Sequence, residues 1–494
     1  MGYLSNHEGV IGVSQPDAVV VGAGPNGLAA AVTLARAGLS VEVFERSATI
    51  GGGARTEALT ETGFLHDVGS AVHPMALASE FFRRFELDKR VDFVIPEASY
   101  GHPLDGGGAG IAYRDLARTA DGLGVDGRAW HTLFAPLVDN IDEVMEFISG
   151  SLIRIPRHLV APVRFGLRVL EQGTPAARLR FRNLVAPAMM AGLSAHSVGR
   201  IPSLSTAGAG LVLGAHAHAR GWPIPVGGSA SIVAALAADL VAHGGIIHTD
   251  AEITSLSELP RARAVLLDVS ARAALGLAEG RLTGRYARAL RRFSYGNGVF
   301  KLDLATSAPI PWTNSELATV PTLHLGGTRS AIASGERDVA LGREARKPYV
   351  LLSQPSIVDS TRAPAGKHVV WAYTHVPRFS TVDHTETVVG LIERYAPGFR
   401  DTIIASASKN TSDLFSFDPN LIGGDISSGA ITLRQLIARP TVSPAPWRTP
   451  LKGLYLCSSS TPPGTGVHGS AGWNAAKLAL RDRFGITRPP DLAL

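Results

Sequence analysis

The stretch that most limits what this chain can fold into runs from Asp17 to Glu45, DAVVVGAGPNGLAAAVTLARAGLSVEVFE. Val19–Val21 reads as a short apolar strand, and Gly22, Gly24 and Gly27 form GxGxxG around Pro25 and Asn26. Residues 28–36 repeat at helical spacing, and Val41–Phe44 reads as a second strand ending in Glu45. Each part has a mechanical task. Gly22 permits a tight turn, Gly24 lets backbone approach a pyrophosphate, and Gly27 lets helix and strand pack closely, while the helix N-terminus offers free N–H groups to phosphate. An acid about 20 residues after the glycines accepts hydrogen bonds from a ribose. Strand, turn, helix, strand and acid in that order predict a dinucleotide-binding unit.

The segment beyond Glu45 and Arg46 selects the dinucleotide. A second glycine cluster, IGGGART, carries Gly52, Gly53 and Arg55. It resembles the extension in flavoproteins of the amine oxidase and phytoene desaturase superfamily. GWPIPVGGSASIVAALAADLVAHGGIIHTDAEITSL (221–256) resembles the same superfamily's turn, helix and strand, and there the resemblance lays the backbone near Ile253 along an adenine. LYLCSSSTPPGTGVHGSAGWNAAKLAL (454–480) resembles its closing motif. In that motif Ser459, Gly466 and Val467 meet the flavin, and a helix from Gly472 aims its positive end at the ring. YGNGVFKLDLATSAPIPW and NLIGGDISSGAITLRQL extend the likeness. The chain is thus similar, over nearly its whole length, to the phytoene dehydrogenase-related NAD(P)/FAD-dependent oxidoreductases. That resemblance implies FAD as cofactor. Thr465 departs from it, standing inside what is usually an all-glycine turn.

A chain of 494 residues, 45% hydrophobic, is too long for one core. The expected fold class is α/β, a Rossmann-type FAD-binding domain with a discontinuous α+β substrate domain. The expected boundaries are 1–100, 221–290 and 451–494 for the FAD-binding domain, and 101–220 and 291–450 for the substrate domain.

GVFKLDLA (298–305) alternates like a strand with one apolar face, yet sets Lys301 on the other. Three readings stand side by side: an edge strand whose lysine reaches water, a buried ion pair with Asp303, or, as the resemblance implies, a catalytic lysine facing the flavin. His468, in the closing loop, is a second catalytic candidate, against the alternative of a loop histidine satisfied by backbone. Ser70 and His73 could line the pocket, but a buried histidine with a structural partner is the commoner outcome. His216 and His218 lie on an apolar stretch without acids or cysteines nearby, so no metal is assigned to them.

Forty-seven basic against 42 acidic residues make the chain mildly basic, without the clustered basic and aromatic pattern of a nucleic-acid partner. The single cysteine, Cys457, leaves no cysteine pair for disulfide reduction and fits a reducing cytoplasm. Residues 1–16 lack signal-peptide organisation, and no window reads as a membrane span. Residues 153–183 are arginine-studded and amphipathic, either a flap over the pocket or a peripheral membrane contact. The expected activity is hydride removal from a small, apolar organic molecule, as in phytoene desaturases, with electrons passing to oxygen, a quinone or another acceptor. A flavin amine oxidase and a non-catalytic flavin-binding regulator remain alternatives, and the oligomeric state is not legible.

Overall fold

Ala18–Val21 is apolar on both faces, the pattern of a strand covered on both sides. In the computed structural model, which describes residues 15–494, it is the middle strand of a five-stranded parallel sheet. The order is 454–456, 264–267, 18–21, 41–44, 246–248. Ala18 and Val20 pack with the helix Pro25–Arg36, and Val19 and Val21 pack with the helix Ala271–Leu277 on the opposite face. The helix Ser470–Ala479 joins the first of these layers. A Cβ on Gly472 would lie 1.9 Å from the Asn26 carbonyl oxygen, so the two helices cross in near backbone contact. The reading of residues 1–14 lies outside the described residues.

A second sheet of seven strands has the order 403–409, 298–306, 368–376, 350–353, 322–325, 98–103, 109–113. Its pairs are antiparallel except for 98–103 against 322–325. Phe300, Leu302 and Leu304 point to one face, where the helix Thr385–Tyr395 covers them. Val299, Lys301 and Asp303 point to the other, with Tyr373 and Trp371 directly opposite in register. The strand Gly298–Thr306 has neighbours on both sides and Lys301 is 3% exposed. The edge-strand reading of Lys301 therefore does not hold.

Against the seven-stranded sheet packs a helical layer, with Gly127–Val138, Val160–Gln172, Val185–Ala195 and Leu204–Ala219 around Trp130, Phe134, Leu193 and Leu211. His216 and His218 belong to this core. His216 Nε2 lies 3.0 Å from the Met145 sulfur, and His218 accepts from Trp130 Nε1 at 3.1 Å while its Nδ1 meets the Tyr113 carbonyl at 2.7 Å.

Candidate functional site

A cavity of about 850 Å³ runs between the two sheets. Its nucleotide end is built from Gly22, Gly24, Pro25 and Asn26, with Gly52 and Gly53 opposite them. The glycines are required sterically. Gly22 has φ +100°, and a Cβ on Gly52 would stand 3.3 Å from the Gly24 Cα. Two backbone turns thus face each other across a groove that side chains would fill, which suits an extended pyrophosphate. Gly27 does not line the cavity. It sits behind the turn, where a Cβ would come within 2.1 Å of the Gly22 carbonyl oxygen, and its N–H donates to Asp268 Oδ2 at 2.7 Å.

Asp268 is a site residue that the sequence motifs do not single out, although an acid closing the apolar run AVLL is visible there. It ends the strand Ala264–Leu267 and lies beneath all three glycines of the motif. Burial pushes its carboxyl up to about 7, and the neighbouring Asp418 and Glu45 add to the rise. Glu45 lines the cavity and ties the turn to the second strand, its two oxygens accepting from Ala23 N–H at 2.8 Å and Ser47 N–H at 2.9 Å.

Arg46, Arg55 and Ile253 also line this end. Arg46 donates to the Ser416 carbonyl at 3.2 Å, and the Arg55 guanidinium lies 3.8 Å from the centroid of the Phe417 ring. Both arginines therefore hold the helix Thr411–Phe417 over the nucleotide end. That cover depends on a segment more than 350 residues away, which no local pattern announces.

In the closing loop Ser459, Thr465, Gly466 and Val467 reach the cavity. Gly464 and Gly466 have φ of +104° and +128°, whereas Thr465 is not in the left-handed region. The threonine is thus accommodated because the glycines on either side take the strained positions. Beneath the loop Arg439, fully buried, donates to the carbonyl oxygens of Ser459 at 2.8 Å and Ser427 at 3.1 Å. Burial lowers its guanidinium to about 10.

His468 is a correction. It has no exposure, it does not line the cavity, its Nε2 donates to the Gly464 carbonyl at 3.2 Å, and its Nδ1 accepts from Ser470 N–H at 3.0 Å. With both nitrogens used by backbone it folds the loop, and burial holds it neutral, down to about 4. Ser70 and His73 do line the cavity. Ser70 Oγ donates to the Val72 carbonyl at 3.2 Å and His73 Nε2 lies 2.8 Å from Ser229 Oγ.

Lys301 lines the cavity and also forms the ion pair with Asp303. The ion-pair reading is thus observed, on a lysine that also lines the cavity. Its ammonium lies 5.5 Å from the Trp371 ring centroid. Burial drives the lysine below its ordinary value and raises Asp303 to about 6, each opposed by the partner's charge. Asp303 Oδ1 has no partner among the described residues, and His66 Nδ1 stands 3.6 Å from it.

Comparisons with known proteins bear on this arrangement. Residues 20–85 match the family model described as an NAD(P)-binding Rossmann-like domain. Pyridine nucleotide-disulfide oxidoreductase domain-containing protein 2 of Rattus norvegicus is 26% identical over 561 aligned positions, covering 94% of this chain and 93% of the rat protein. The two sequences are similar over nearly their whole lengths. Among solved structures, an oxidoreductase from Methanosarcina mazei superposes with a TM-score of 0.60 at 18% identity, covering 93% of this chain and 99% of that one. Cyclohexylamine oxidase from Brevibacterium oxydans gives 0.57 at 14% identity, covering 96% and 100%. At these identities the superpositions establish a shared fold, the mixed α/β architecture of the amine oxidases.

Proposed function

We propose that the chain is an FAD-dependent oxidoreductase that removes a hydride from a C–H bond of an apolar substrate, in the manner of the phytoene-type dehydrogenases. The observation that carries this reading is the division of the cavity. The carboxylates on its walls are Glu45, Glu252, Asp268 and Asp418, of the nucleotide end, whereas Phe147, Leu152, Phe165, Val169, Val212 and Leu213 supply a broad apolar wall, with no carboxylate besides those four. Such a chamber holds a hydrocarbon and gives an ammonium no counter-charge. The Trp371–Tyr373 pair, with rings 5.3 Å apart at 83° beside Lys301, favours the second reading, amine oxidation.

FAD, when bound, supplies the hydride acceptor. Glu45 and Ile253 would hold its adenosine, the paired glycine turns its pyrophosphate, and Gly466 and Val467 its ring, with the FAD-binding domain made of residues 1–100, 221–290 and 451–494. Lys301 would place positive charge beside that ring, and the apolar walls would exclude water. The electrons then leave to oxygen, a quinone or another carrier.

The route for an apolar substrate is the helix Val160–Gln172. Phe165 and Val169 face the cavity, while Leu159, Val160, Val163, Leu167 and Leu170 are each more than half exposed. Arg157, just before this helix, and Arg164, within it, are exposed, as are Arg178 and Arg182 further along the same amphipathic stretch. Exposed apolar residues on an arginine-bearing amphipathic stretch suit the surface of an anionic bilayer, and no helix among the described residues is long and apolar enough to cross one.

The test is anaerobic mixing of FAD-loaded protein with an isoprenoid polyene or with cyclohexylamine. Bleaching of the flavin by the polyene alone supports the proposal. Bleaching by the amine alone favours the second reading, and bleaching by neither favours a non-catalytic flavin protein.

A further inference from the structure

The cavity face of the seven-stranded sheet carries one cross-strand row, Lys301, Tyr373, Leu351 and His324, each directly opposite the next in register. Lys301 and His324 are three strand spacings apart, on the order of 14 Å. At the His324 end stands a polar device in an otherwise apolar wall. His324 Nε2 lies 2.8 Å from the Nε2 of His196, which lines the cavity. His324 is wedged against Tyr100, with rings 4.8 Å apart, and its Nδ1 is sealed without a partner among the described residues. A Cβ on Gly192 would come within 2.6 Å of that nitrogen.

The bond between the two rings fixes where their protons sit. One Nε2 must donate and the other accept, because both rings are neutral: burial holds His196 down to about 3 and His324 well below its ordinary value. A sealed N–H without an acceptor is rarer and costlier than a sealed lone pair. His324 therefore keeps its proton on Nε2 and donates it to His196, leaving its own Nδ1 as the sealed lone pair. The proton of His196 is then on Nδ1, which has no partner among the described residues and is not sealed. Thr322, on the same face two residues before His324, carries a hydroxyl likewise sealed without a partner among the described residues.

We propose that His196, locked by His324, is a substrate-recognition site: a neutral N–H donor that receives an oxygen acceptor of the substrate, a carbonyl, at the His324 end of a sheet row whose Lys301 end lies on the order of 14 Å away. The inference rests on the apolar-substrate reading and narrows it from a pure hydrocarbon to an elongated apolar ketone, aldehyde or ester.

The experiment is equilibrium binding to FAD-loaded protein, read by the fluorescence of the cavity tryptophans Trp222 and Trp371. The probes are dodecane, the methyl ketone of that chain length and the primary alcohol of that chain length. Parent protein is expected to bind the ketone about tenfold tighter than the alkane, the worth of one desolvated hydrogen bond. His196→Leu equalises ketone and alkane with alkane affinity unchanged, His196→Gln restores part of the preference, and His324→Phe, which keeps the stack on Tyr100 but frees His196, weakens it several-fold. Alkane binding without a ketone preference, a preference that survives His196→Leu, or a gain for the alcohol alone overturns the donor assignment and leaves the apolar chamber standing. Failure of all three probes to bind overturns the apolar reading and this inference with it.

Discussion

Lys301 and Asp303 stand two residues apart on one strand and meet in the space between the two sheets, where the lysine donates to a carboxylate buried as deeply as itself. The pair stays charged only through mutual attraction, since desolvation opposes the charge on both. Lys301→Met strands the carboxylate, and because Asp303 already lies near 6 it takes up a proton in mildly acid solution. The variant should therefore lose more thermal stability at pH 8 than at pH 6, and Lys301→Met with Asp303→Leu should regain most of the loss. In the FAD-loaded variant the flavin potential should fall and reoxidation in air after dithionite reduction should slow, because a positive charge near the reduced, negative ring is gone. An unchanged potential would place the lysine away from the ring.

Glu45 ties the turn to the second strand, and we propose that it also holds the ribose. Loss of a charged acceptor is worth roughly 1.5 to 3 kcal/mol, so Glu45→Ala should weaken FAD binding at least about tenfold in a titration of apoprotein. Glu45→Gln, which keeps an acceptor for the Ala23 N–H, should fall between. Equal affinity in Glu45→Ala and parent would remove Glu45 from the nucleotide site.

Asp268 gives the nucleotide end a pH dependence of definite sign. Its folded value of about 7 lies above the ordinary 3.8. Between those values the folded protein holds a proton that the unfolded chain has lost. Stability from this group is thus complete below pH 4 and is lost as pH rises to 7, an amount on the order of 4 kcal/mol. An ionised Asp268 beside Glu45 and Asp418 also repels pyrophosphate. FAD retention should fall above pH 7, and Asp268→Asn, which still accepts from the Gly27 N–H, should abolish the fall. A parent that retains FAD equally at pH 6 and pH 8.5 would refute this.

Buried histidines act in the opposite direction. Burial lowers His66, His196 and His216 to about 3, and His73, His102, His218 and His468 to about 4. Below pH 6.5 the unfolded chain takes protons that the folded one refuses, so each adds about 1.4 kcal/mol of lost stability per pH unit. Seven such groups outweigh Asp268 and Asp303. Tryptophan fluorescence should report steep acid unfolding between pH 4 and 6, and His218→Gln should shallow the slope by about one proton.

The helix Val160–Gln172 predicts sedimentation with vesicles of anionic lipid, weakened by salt and absent with neutral lipid. Leu167→Glu should reduce it several-fold without affecting FAD content, since Leu167 is 60% exposed.

The nucleotide end was legible because its signal is local. Gly22 to Glu45 make turn, helix and acid within one run, and the strands formed where the apolar runs stood. Lys301 was legible as an anomaly in an apolar strand. Asp268, Arg439, Phe417 and the His196–His324 pair were not, because each acts through a partner remote in sequence: Gly27 for Asp268, Ser459 for Arg439, Arg55 for Phe417. His468 misled for the converse reason. A histidine in a glycine-rich loop looks the same in sequence whether its nitrogens face a cavity or backbone.

The strand Leu454–Leu456 lies beside 264–267, which lies beside 18–21. The glycine turn at residues 22–27 therefore belongs to a sheet whose edge strand is supplied by residues 454–456, far downstream in the chain. Until then the apolar edge of 264–267 has no neighbour, and chain closure across hundreds of residues must precede the packing of Ser470–Ala479 against Pro25–Arg36. Closure of the sheet at the nucleotide end thus waits for Leu454–Leu456, and a nascent chain stalled before Leu454 exposes a strand edge and an alanine-rich helix face to aggregation.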